Sequence, residues 1–119
     1  MTPRRRTDPD LGRSALTRVL EAHTLDKEDL GIAVRFLLEE LAAQAPGRSV
    51  EVRVPPYGAV QCVAGPRHTR GTPPNVVETD PMTWVSLASG GTEWHAAVAE
   101  GLVQASGERA DLSDFLPVV

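Results

Sequence analysis

The stretch Ser49-Val50-Glu51-Val52-Arg53-Val54-Pro55-Pro56-Tyr57-Gly58-Ala59-Val60-Gln61-Cys62-Val63 decides how this chain is read. Val50, Val52 and Val54 alternate with Glu51 and Arg53, the period of a strand with one buried and one wet face. Pro55-Pro56-Tyr57-Gly58 is a turn, and Ala59 to Val63 is a second, more uniformly apolar strand, so a hairpin is the economical pairing.

Upstream of Ser49 the period is helical. Asp8-Pro9 combines a capping carboxylate with a proline that the first helical turn tolerates, after which Leu11, Ala15 and Val19 recur with Leu16 and Leu20 beside them, to a helix end near His23. A second, stronger helix starts at Asp26, with Glu28 and Asp29 at the positive end of its dipole. Leu30, Val34, Leu37, Leu38 and Leu41 form its stripe, and Pro46-Gly47 stops it.

Downstream, Gly65 to Pro74 carries prolines and glycines around Arg67, His68 and Arg70, a short edge strand flanked by loops. Asn75 to Thr79 is a further strand. Asp80-Pro81 repeats the cap-and-proline signature for a helix with Trp84, Leu87 and Ala88 on one face, ended by Gly90-Gly91. Thr92 is expected to cap the next helix, which carries Trp94, Ala97 and Val98 and stops before Gly101. Leu102 to Ser106 is expected as the last strand, and Asp111 to Leu116 as a terminal helical turn or two. The order predicts an α+β fold with helices covering one sheet.

The 119 residues, 41% hydrophobic and 24% charged, suit one domain, expected over 10–119 behind a flexible tail at 1–9 that holds Arg4, Arg5 and Arg6. A net charge of -4 opposes nucleic acid or an anionic membrane as the main partner. No apolar run is long enough to span a bilayer, and Met1-Thr2-Pro3-Arg4-Arg5-Arg6 leads into polar residues; with the single Cys62, a cytoplasmic protein is expected.

The second half has a recognisable punctuation: Val77-Glu78-Thr79-Asp80-Pro81-Met82-Thr83-Trp84, then Leu87-Ala88-Ser89-Gly90, then Trp94 through Ala97-Val98 to Gly101, then Val103-Gln104-Ala105-Ser106-Gly107-Glu108, then Leu112 and Leu116. It resembles the sterol carrier protein (type-2-like) family. Upstream, Arg53-Val54-Pro55-Pro56-Tyr57, Gln61-Cys62 and Pro66 to Asn75 look like a short bacterial branch of it. The likeness covers about residues 28–117. It implies a five-stranded mixed sheet covered by helices on one face, counting the strand near His68, and an apolar tunnel between sheet and helices that takes acyl chains or sterols. The C-terminus Leu116-Pro117-Val118-Val119 is not a peroxisomal address, and Arg67 to Pro74 departs from the eukaryotic carriers, so ligand identity does not carry over.

Trp84, Leu87, Trp94 and Val98 are candidate tunnel walls as well as ordinary core, and Leu112, Phe115 and Leu116 are either a lid or a docked chain end. Arg67, His68 and Arg70 are the candidate polar grip for a carboxylate or phosphate, against the reading of a solvated loop. Cys62 reads as core filler. Neither Cys-x-x-Cys nor His-x-x-x-His occurs, so no metal or other cofactor is expected. Ser106, His95 and Asp111 form a catalytic set only on paper, since no nucleophile elbow supports them.

The leading expectation is a non-enzymatic binder, and possible transfer protein, of fatty acids, acyl-CoA or sterol-like lipids. One alternative is an enzyme or accessory domain related to thiol-dependent isomerase-like proteins and using Arg67, His68 and Arg70; another is a protein-interaction module working through an edge strand or apolar patch.

Overall fold

The computed structural model describes residues 6–65 and 75–119. Along them run α1 (Pro9–Glu21), α2 (Lys27–Gln44), β1 (Val50–Val54), β2 (Gly58–Cys62), β3 (Asn75–Thr79), α3 (Pro81–Ala88), α4 (Trp94–Ala99) and β4 (Val103–Ser106). Among the described residues the sheet has four strands in the order β2-β1-β3-β4. β1 pairs antiparallel with β2 and parallel with β3, and β3 pairs antiparallel with β4, so the sheet is mixed. It is four strands rather than the five that were expected; the strand expected near His68 lies outside the described residues.

The period-2 pattern has its expected consequence. Val50, Val52 and Val54 line up with Asn75 and Val77 across β3, and all are buried beneath the helices. Glu51, Arg53 and Glu78 project from the opposite, wetter face, where Arg53 and Glu51 form an ion pair.

Capping aspartates start three of the helices. Asp8, Asp26 and Asp80 each accept from backbone N–H groups of the first turn. α4 differs from expectation: its cap is Glu93, which accepts from the N–H of Ala96 at 2.8 Å, while the hydroxyl of Thr92 is held by Ser86 Oγ at 2.6 Å. The buried stripe of α1 is also displaced. Gly12, Ala15, Leu16 and Val19 face inward, whereas Leu11 and Leu20 face solvent. The reason is close approach to α2: a methyl on Gly12 would stand 2.4 Å from Phe36 Cγ, so the glycine sets the seam.

α2 sits between α1 and the sheet and buries far more than one stripe, with Ala33, Phe36 and Ala42 inside beside the five predicted residues. Trp84 of α3 joins it, its indole N–H donating to the Val34 carbonyl at 3.3 Å.

The terminal segment is not a helix. Asp111 to Leu116 makes a single turn closed by Phe115 N–H on the Leu112 carbonyl, and the chain then runs as a strap. Val118 and Val119 both donate from their N–H groups to the Ala88 carbonyl, and Gln44 Nε2 donates to the Val118 carbonyl at 2.7 Å. These bonds to other elements, with the missing N–H of Pro117, take the place of a helical ladder.

Candidate ligand-binding groove

β4 is where the helical cover thins. Its pairing sets Val103 opposite Thr79 and Ala105 opposite Val77, so both lie on the inner face of the sheet. Val103 is buried, but Ala105 is exposed. The helix above, α4, is only six residues long and buries Trp94 and Ala97. Gly101 ends it: its φ of +75° is a left-handed conformation, and the N–H of Leu102 folds back to the Ala97 carbonyl at 3.0 Å.

The uncovered space is a groove of about 370 Å³. Trp94, His95, Val98 and Ala99 of α4 form one wall, Ala105 and Gly107 the floor, and Glu108, Ala110 and Asp111 the far side. Three alanines lie in that lining, and their short side chains leave the space that larger ones would fill. Val98 is 39% exposed, so part of an apolar wall faces open space.

The far side is held from inside the fold. Asn75, itself buried, donates from Nδ2 to the Ser49 carbonyl at 2.8 Å and accepts from the N–H of Arg109 at 2.9 Å, which anchors the loop after β4 to the start of β1. Asp111 then accepts from the N–H of Ser113 at 2.8 Å. Hydrogen bonds from Ser113, with a smaller contribution from the charge of His95, hold the Asp111 carboxyl below the usual carboxylate range. Glu93, the N-cap of α4, is likewise held low by the backbone N–H groups of Ala96 and His95.

A smaller hollow of about 200 Å³ adjoins on the other side of Trp94, lined by Leu87, Gly90, Thr92, Glu93, Ser113, Leu116 and Pro117. Trp94 borders both spaces and is itself 5% exposed. A third hollow, of about 310 Å³, is lined by Pro55 and Leu102 together with Glu78, Thr79, Asp80 and Gln104.

The candidate residues therefore separate. Val98 lines the larger groove, Leu87 and Leu116 the smaller hollow, and Trp94 both. Trp84 and Leu112 are interior side chains at 1% and 0% exposure that border neither, and Phe115 is half-buried against the core. Arg67, His68 and Arg70 lie outside the described residues. Cys62 is buried, which pushes its thiol up to about 12. His95 and Asp111 meet in the groove, whereas Ser106 pairs opposite Val76 on the other face of the sheet. Ala99, Ala105, Ala110 and Glu108 had no signal of their own in the sequence; only the alternation of β4, which sets Ala105 inward with Val103, hinted at them.

Among the described residues no helix is long and apolar enough to cross a membrane, and no group of three His, Cys, Asp or Glu side chains is placed to hold a metal ion. A comparison with curated proteins finds no match. The family described as "Bacterial SCP ortholog" matches residues 26–118, from the cap of α2 to the terminal strap. That span takes in the whole sheet, the helices on its inner face and both walls of the groove, and the chain belongs to this bacterial branch of the sterol-carrier-like proteins.

Proposed function

We propose that the protein binds, without catalysis, a hydrophobic small molecule with an acyl or sterol-like body, and that the body lies along the α4–β4 groove. The observation that carries the reading is the exposed inner-face Ala105, part of a sheet face left uncovered beside Val98 and Trp94. A volume of about 370 Å³ falls in the range of small-molecule sites. Hydrocarbon entering it removes apolar surface from water on both sides, worth about 25 cal/mol for each Å². The adjoining hollow continues past Trp94 with a mixed lining, Leu87, Leu116 and Pro117 against Thr92, Glu93 and Ser113, and the strap that carries Leu116 serves as its lid. The lone, unpaired Cys62 suits a reducing, cytoplasmic setting.

Binding rather than turnover is supported by two placements. The thiol of Cys62 is buried and far from ionisation at neutral pH, and Ser106 is on the opposite face from His95 and Asp111. A titration with alkyl ligands of increasing length tests the reading. Affinity should rise about three- to fourfold per added methylene until the groove is full. Flat, weak binding across the whole series would remove it.

A further inference from the structure

Which head group the groove accepts depends on the charges around it. Its lining carries two carboxylates, Glu108 and Asp111, and the carboxylate of Glu93 borders the neighbouring hollow across Trp94. Against them stands one ionisable cation, His95 on α4. Arg109 sits between the two acidic residues in sequence, but its guanidinium reaches the other way: a methyl added to Gly65 would stand 3.4 Å from Arg109 Nη1. No lysine or arginine is in the lining among the described residues. Asp111 and Glu93 are both held below the ordinary carboxylate range by hydrogen bonds, so they stay ionised through mildly acidic conditions.

We infer that the α4–β4 groove selects amphiphiles with a cationic head, an alkyl or polycyclic body carrying an amine, over carboxylates with the same body. This rests on the groove being the binding site and narrows what it takes. The apolar body would lie along Val98, Ala99 and Ala105, and the ammonium at the side held by Glu108 and Asp111. A free fatty acid placed the same way would bring a third negative charge to that rim.

The experiment compares decylamine, decanol and decanoate by calorimetric titration of the full chain at neutral pH and low salt. Decylamine should bind at least about fivefold more tightly than decanoate, as expected for unit charges meeting near a wet surface. The gap should shrink in half-molar salt, where the screening length falls to about 4 Å. It should also shrink in the double variant Glu108→Gln with Asp111→Asn, where Asn keeps an acceptor for the Ser113 N–H; a circular-dichroism melt checks that this variant is folded. Decanoate binding as tightly as decylamine, or a preference unchanged in the double variant, overturns the inference while leaving the groove as a binding site. If decanol also fails to bind, the groove reading falls and this inference with it.

Discussion

The two ends of the sheet are covered in different ways. Over β1 and β2 lies α2, 18 residues long and buttressed from outside by α1, and beneath it Val50, Val52 and Val54 have no exposed surface. Over β4 lies α4, six residues long, and an inner-face alanine remains open to solvent. The first region is a filled interior of buried side chains. The second is a thin cover on a groove. Stability therefore belongs mainly to the α1–α2–β1 side, and the proposed ligand site to the α4–β4 side, because a filled space cannot also receive a guest.

Substitutions on each side can break or sharpen that contrast. Leu37→Ala, at a position with no exposure in the thick region, should cost about 3 kcal/mol in a urea unfolding titration, since the surrounding elements cannot collapse into the cavity. A loss below about 1 kcal/mol would mean that the interior is looser than the burial indicates.

Asp80→Ala, at the start of α3 between the two regions, should cost about 1 kcal/mol at neutral pH through the lost cap. Burial raises the pKa of Asp80, but hydrogen bonds from the Thr83 hydroxyl and from backbone N–H groups outweigh it and leave the carboxyl below its usual range. A depressed folded pKa contributes stability that is fully present above the unfolded value, about 3.9, and is lost as pH falls through the folded one. The gap between wild type and Asp80→Ala should thus close in melts taken below about pH 4.

Ala105→Leu, on the thin side, should shift stability by no more than about 0.5 kcal/mol, because the added side chain enters open space. The same change should weaken decanol binding about tenfold or more by filling the floor of the groove, while wild-type affinity in Ala105→Leu would move the ligand elsewhere.

The regions also differ in how far they could be read in advance. α2 and β1 were plain in the sequence because large apolar residues at helical and strand periods can hide only one way, and the Asp-Pro caps at Asp8 and Asp80 are local chemistry. The terminal segment misled because Leu112, Phe115 and Leu116 have helical spacing, yet its backbone bonds go to Ala88 and Gln44, partners far along the chain. Thr92 was expected to cap α4, but its hydroxyl is paired with Ser86 and Glu93 caps the helix instead. The groove was hidden for a related reason: Ala99, Ala105 and Ala110 matter through the volume they leave empty, and small side chains carry no periodic signal.

What the amino-acid order determined by itself was most of the elements, the aspartate caps at Asp8, Asp26 and Asp80, and the buried faces of α2 and β1, all consequences of contacts within about one turn or one pleat. What only the tertiary structure decided was where cover is missing, which carboxylates share the rim, and which way Arg109 points. Those depend on the distances at which separate elements settle against one another, and Gly12 against Phe36 or Asn75 against Arg109 can set such distances only once the chain has folded.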